Sequence, residues 1–172
     1  MITIREQTEA DKDEIWEIIR AVISAGDTYY FAPDSSKEKM LDYWFDKKKK
    51  GYVAEISETP AADDLRSDRK IAGIFFVAEN FPDLASHIAN AGFMVSPGAR
   101  GKGVGRKMAE FSLAEAKRLG FRSMQFNFVV KSNGNAVKLW LDLGFEIIGE
   151  IPDAIEHPEN GLTNALIMFR KL

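Results

Sequence analysis

The sequence predicts an α/β (α+β) fold with about seven strands and about four helices in a single domain over residues 1–172. Three observations lead there. Short β-type runs alternate with segments whose apolar residues recur at helical spacing. A glycine-rich turn at 96–105 joins a strand directly to a helix. Finally, 45% hydrophobic residues in a chain of 172 suffice for one ordinary core and do not suggest a second.

Ile2 and Ile4 alternate with polar neighbours, which predicts a short first strand. Thr8 is placed to cap a helix carrying Ile15, Ile18, Ile19 and Val22 on one face, and Gly26 to stop it. The aromatic loop Asp27-Thr28-Tyr29-Tyr30-Phe31-Ala32-Pro33-Asp34 leads to a second helix, with Ser35 and Glu38 as its expected capping box and Met40, Leu41, Trp44 and Phe45 facing inward. Lys47 to Lys50 are expected to close that helix, where the dipole favours cations and Gly51 follows. Tyr52 to Ile56 and Ile71 to Ala78 read as a hairpin, interrupted by a polar insert from Glu58 to Arg69 that has little to bury. A strand from His87 to Val95 precedes the glycine turn, and the helix after it presents Val104, Met108, Phe111 and Leu119 inward before Gly120. Ser123 to Val130 is a further strand. Asn133 is the expected N-cap of a helix striped by Ala136, Leu139, Trp140 and Leu143 and ended by Gly144. Phe145 to Gly149 and Leu162 to Arg170 complete the order as two strands joined by a loop containing Pro and Gly.

The turn Ser96-Pro97-Gly98-Ala99-Arg100-Gly101-Lys102-Gly103-Val104-Gly105 has the composition of an anion cradle. Glycines allow several backbone N–H groups to converge, and the helix start adds unpaired N–H groups and its positive dipole end. Arg100, Lys102, Arg106 and Lys107 crowd the same place. A Walker loop would need Ser or Thr after Gly-Lys, but Lys102 is followed by Gly103. A dinucleotide fingerprint would need a third glycine where Arg106 or Met108 stands. Arg100-x-x-Gly103-x-Gly105 after an apolar strand remains, beside the plainer reading of a tight turn on a solvated surface.

That pattern resembles the pyrophosphate loop of the GCN5-related N-acetyltransferase (GNAT) family. A second block strengthens the resemblance: Asn133-x-x-Ala136-x-x-Leu139-Trp140-x-x-x-Gly144-Phe145 matches the family's other motif in order and distance. The resemblance implies a mixed, mostly antiparallel sheet, splayed near its middle, with helices on both sides. It also implies acetyl-CoA as cosubstrate and acetyl transfer to a primary amine of a small molecule or peptide. Arg100, Gly101, Lys102, Gly103, Val104, Gly105 and Arg106 would then hold the pyrophosphate, and Phe93, Met94 and Val95 would lie along the pantetheine arm. A backbone N–H near Phe93 or Met94 would donate to the thioester oxygen. Asn133 and Trp140 would contact the same arm.

Trp140 departs from the family, whose usual residue there is tyrosine, able to protonate the leaving thiolate. An indole N–H donates a hydrogen bond but does not release its proton near neutral pH. Trp140 is therefore expected to pack against the arm, and it keeps open the alternative of a non-catalytic acyl-CoA-binding or regulatory module. For the base that deprotonates the amine, Glu79, His87, Asn127 as a water holder, and His157 are the candidates. Tyr29, Tyr30 and Phe31 are expected to line the acceptor side.

A net charge of −3 argues against nucleic acid as a partner, despite the lysine run. Absence of cysteine removes disulfides, a thiol nucleophile and thiolate-bound metal, and no metal site is expected. No apolar run approaches membrane-spanning length and Met1 to Arg5 is not a signal-peptide core, so a cytoplasmic protein without membrane contact is expected. Oligomeric state stays open, a homodimer being one option.

Overall fold

The structure, a computed structural model, describes residues 1–57 and 69–172. In chain order its elements are β1 (Ile2–Glu6), α1 (Lys12–Ile23), α2 (Lys37–Trp44), β2 (Lys49–Ile56), β3 (Lys70–Glu79), β4 (Ile88–Val95), α3 (Val104–Arg118), β5 (Ser123–Val130), α4 (Gly134–Asp142), β6 (Glu146–His157) and β7 (Gly161–Lys171). The seven strands form one sheet in the order β1-β2-β3-β4-β5-β7-β6. Every pairing is antiparallel except β4 with β5. The predicted mixed sheet with four flanking helices is present among the described residues.

Strand alternation sorts the core onto two faces. Ile74, Phe76 and Met94 turn toward α1 and α2, where they meet Ile15, Ile19, Met40 and Trp44. Phe75 and Tyr52 turn to the other face and pack under Met108 and Val104 of α3. α4 covers the neighbouring part of that second face, placing Trp140 over Phe126, Phe145 and Leu166.

Several expected boundaries move, each for a local reason. Thr8 caps a single 3₁₀ turn, Glu9–Asp11, accepting the role through its N–H on Asp11 Oδ2 at 2.6 Å, and α1 follows. Ser36 caps α2 in place of Ser35, its Oγ accepting from Lys39 N–H at 3.2 Å. The lysines do not close α2, which ends at Trp44; Lys49 and Lys50 open β2, and Gly51 lies inside that strand. A Cβ at Gly51 would stand 2.2 Å from the Gln7 side chain, so close packing explains this glycine, not a helix end. Leu119 is exposed, because α3 ends at Arg118 and buries Ala109, Ser112 and Ala116 as well as Met108. The expected loop after Gly149 is strand: β6 runs on to His157, absorbing Pro152 through register shifts between Ile147 and Gly149 and between Ile151 and Ile155. The polar insert at 58–68 lies outside the described residues, apart from Arg69 at its end.

Candidate active site

The site exists because β4 and β5 part company. They pair only at Ile88 with Ser123 and Ala89 with Met124. Beyond Ala89 nothing in the sheet fills the gap, and a cavity of 770 Å³ opens there. The hydrogen-bond phase of β4 decides which backbone groups face it. Asn80 N–H donates to Ile88 O at 2.8 Å and Ser96 N–H to Ala72 O at 2.9 Å, and both continue the β3–β4 register. In an antiparallel ladder, bonded pairs alternate with non-bonded ones, so Asn90, Gly92 and Met94 spend their backbone groups on β3. Ala91, Phe93 and Val95 turn theirs into the split. Ala91 N–H is taken by Asn90 Oδ1 at 2.8 Å, and Phe93 O accepts from the Tyr29 hydroxyl at 3.1 Å. Phe93 N–H and both groups of Val95 therefore face the cavity, whereas Met94 has its N–H committed to β3 and its side chain in the core.

The glycine turn closes one end. Gly101 and Gly103 have φ of 77° and 81°, values an L side chain rarely adopts, and a Cβ on either would meet open space. Conformation, not crowding, requires glycine there. Gly105 differs from what the sequence suggested: it is an ordinary helical residue whose Cβ would sit 3.8 Å from Val95 and 3.9 Å from Leu139. Lys107 N–H to Gly103 O, 3.0 Å, is the first helical bond of α3, so the N–H groups of Val104, Gly105 and Arg106 precede it without a partner of that kind. Arg100 lines the cavity, as do Gly101, Gly103, Val104 and Gly105. Lys102 and Arg106 do not; Arg106 bridges to Asp142 of α4 at 3.1 Å and so ties the two helices together.

Across the split, Asn133 accepts from Ala136 N–H at 3.3 Å as the N-cap of α4 and lines the cavity beside Trp140. The indole is nearly buried, with ring centroids 5.0 Å from Phe93 and 4.6 Å from Phe126. It bridges the two parted strands.

The loop between α1 and α2 arches over the other end. Tyr29 bonds to Phe93 O, Tyr30 packs edge-on against Phe128 of β5 with centroids 5.3 Å apart, and a Cβ at Gly26 would lie 3.9 Å from Pro158 Cδ in the β6–β7 turn. Tyr43 and Phe76 floor this end. Burial pushes the Tyr29 and Tyr43 phenols up, so both stay protonated.

The base candidates fare differently. Glu79 is the exposed last residue of β3 and does not line the cavity, and neither does His87. Asn127 does, beside a bulge in β5, and its amide is largely engaged, with one N–H left over: Nδ2 donates to Asn80 Oδ1 at 2.6 Å, and Oδ1 accepts from Asn80 Nδ2 at 3.2 Å and from Gln125 Nε2 at 2.9 Å. His157 lines the cavity from the end of β6, where it is buried, not from a loop. Its Nδ1 accepts from Glu159 and Asn160 N–H at 3.1 and 3.2 Å, which places the proton of the neutral ring on Nε2. Nε2 is thus the donor nitrogen of that tautomer. Sequence reasoning passed over Asp27, Tyr43, Asn90 and Phe128 as site residues. Only Asp27 carried a usable signal, as a carboxylate directly after a helix-stopping glycine.

The model of the Acetyltransferase (GNAT) family matches residues 16–145. The chain belongs to the GNAT acetyltransferase family. An N-acetyltransferase of Schizosaccharomyces pombe, aca1, is 36% identical over 137 residues, which is 77% of this chain and 66% of the yeast protein. The GNAT chain thus spans just under two thirds of that relative. The structure of a GCN5-related N-acetyltransferase from Kribbella flavida superposes with a TM-score of 0.86 at 35% identity, covering 99% of this chain and 98% of the other. A GNAT phosphinothricin acetyltransferase from Sinorhizobium meliloti, solved with acetyl-CoA, has a TM-score of 0.80 at 24% identity over 99% and 88% of the two chains, a likeness of fold. Among the described residues no helix of this GNAT chain is long and apolar enough to cross a membrane.

Proposed function

We propose that this GNAT chain is an acetyl-CoA-dependent N-acetyltransferase that passes the acetyl group directly to a primary amine of a small molecule or peptide, in the cytoplasm. The observation that carries the reading is the phase of β4. Phe93 and Val95 present unspent backbone groups along a cavity that leads from the Arg100–Gly105 turn to the aromatic loop. These residues fit an extended amide-bearing arm laid beside β4 as an added strand would be, with its diphosphate at the turn. Acetyl-CoA, when bound, supplies the activated acyl group as a thioester. Arg100 and the N–H groups of Val104, Gly105 and Arg106 hold the anionic end. Phe93 N–H, which the ladder favours over Met94, is the donor for the thioester oxygen, and one such donor is worth about 2 to 4 kcal/mol of a barrier. Trp140 seals the arm from behind and holds Phe93 in place through ring packing.

Direct transfer is favoured over a ping-pong route, since no cysteine is present to carry an acetyl group between two half-reactions. His157, with Nδ1 occupied, orients a polar group of the acceptor. The test is thiol release from acetyl-CoA across amino acids, polyamines, aminoglycosides and peptide N-termini. Release that depends on one class of amine supports the reading, and tight CoA binding without release for any amine overturns it in favour of an acyl-CoA-binding module.

A further inference from the structure

We propose that Asp27 anchors the ammonium group of the acceptor, so that the acceptor enters this site as a cation and releases one proton to solvent water before its neutral nitrogen attacks the thioester; this rests on the acetyltransferase reading above. Among the described residues that line the cavity, two carry a formal charge: Arg100 and Asp27. Arg100 stands at the glycine turn beyond the end of β4. Asp27 belongs to the loop that meets Phe93 through Tyr29 and β5 through Tyr30. The cavity is therefore polarised, positive where the diphosphate belongs and negative where the amine must arrive. His157, the imidazole of the lining, has its Nδ1 occupied by the Glu159 and Asn160 N–H groups.

Asp27 Oδ1 is buried and has no hydrogen-bond partner. A carboxylate oxygen withdrawn from water without a donor is costly, so this group calls for a partner that a bound cation would supply. An ammonium brings three donors and the opposite charge. The surrounding rings suit the same guest, because aromatic faces attract cations. Lys49 Nζ, outside the cavity, lies 3.0 Å from the Tyr43 ring centroid and 4.8 Å from that of Phe76, although burial lowers its pKa to about 8, so the rings alone do not hold a cation and the Asp27 charge is needed. The anchor is also fixed in position. Gly26 has φ +65° and abuts Pro158, which sets the loop against the turn that follows His157.

The test uses calorimetric titration of the CoA-saturated protein with glycinamide, L-methionine and spermidine, and with glycolamide as the uncharged counterpart of glycinamide. The wild type is expected to bind glycinamide at least tenfold more tightly than glycolamide, and Asp27→Asn to lose that preference while its CoA affinity and melting temperature stay equal or the latter rises. Asp27→Glu is expected to keep part of the preference. For whichever amine turns over, Asp27→Asn should raise its KM at least tenfold with kcat within threefold. Equal binding of glycinamide and glycolamide, no binding of any amine, an unchanged amine KM, or a fall in melting temperature with loss of CoA affinity would overturn the proposal. Amine binding through Asp27 without thiol release would leave the anchor standing and defeat the acetyltransferase reading.

Discussion

The Tyr29 hydroxyl donates to the Phe93 carbonyl oxygen across 3.1 Å, joining the loop over the acceptor end to the strand that faces the split. Burial raises the phenol's pKa, so the donor persists at any pH the fold tolerates. Tyr29→Phe removes this bond and leaves the carbonyl exposed to the cavity. The expected loss of stability is about 1 kcal/mol, measured by urea unfolding, together with a severalfold rise in the acceptor's KM and an unchanged KM for acetyl-CoA. Equal rises in both would mean that the loop serves the cofactor arm as well.

Arg100 and Arg106 lie six residues apart and should behave differently. Arg100 lines the cavity, while Arg106 is engaged with Asp142 at 3.1 Å and, more loosely, with Glu110 at 3.9 Å. Arg100→Glu is expected to weaken CoA binding at least tenfold in a calorimetric titration. Arg106→Ala is expected to change it less than threefold and to cost under about 1 kcal/mol of stability, as exposed ion pairs do. Equal losses of CoA affinity in both variants would mean that Arg106 leaves Asp142 when the cofactor binds.

How legible the site was in the sequence follows from what kind of signal each part leaves. Gly101, Gly103 and Asn133 are forced by backbone conformation or capping, and such demands appear as residue types at fixed spacing. The split between β4 and β5 is a property of pairing, and nothing in Ser123 to Val130 announces that the ladder stops at Met124. The same holds for β6. Its exposed Ile147 and Ile148 and its Pro152 look like a strand end followed by a loop, yet edge position and two register shifts let the strand continue to His157. Lys49 and Lys50 misled for a related reason: Gly51 is glycine because Gln7 approaches it, and a close contact from 44 residues away has no local signature. Glu79 was attractive as a carboxylate at a strand end, but the β3 end points it to solvent.

Trp140 occupies the position where the family usually carries tyrosine, and its surroundings are those of a core residue. Only 7% of its surface is exposed, and it packs on Phe93, Phe126 and Phe145. Trp140→Ala should cost about 3 to 5 kcal/mol, enough to unfold a marginal domain. Trp140→Tyr keeps most of the packing and restores a hydroxyl, so kcat should be similar or higher with CoA affinity within threefold. A collapse of kcat with folding and CoA binding intact would show that the indole N–H has a specific task.

Glu115 ties α3 to β2 from a buried position, and its pKa is lowered to about 2. The bonds from Arg118 are the largest cause, with Tyr52 and Lys50 adding to them against the opposing effect of burial. The Tyr52 hydroxyl donates to Oε1 at 2.5 Å and Arg118 Nε to Oε2 at 2.7 Å. Because the folded pKa lies below the ordinary value of 4.5, the unfolded chain takes up the proton first as pH falls. The stabilisation is therefore fully present above pH 4.5 and is lost on the way down to about pH 2. Glu115→Gln should lower the urea midpoint at pH 7, and the gap from wild type should shrink steadily between pH 4.5 and 2. A gap that stays constant across that window would show that Glu115 contributes through packing and neutral hydrogen bonds instead of its charge.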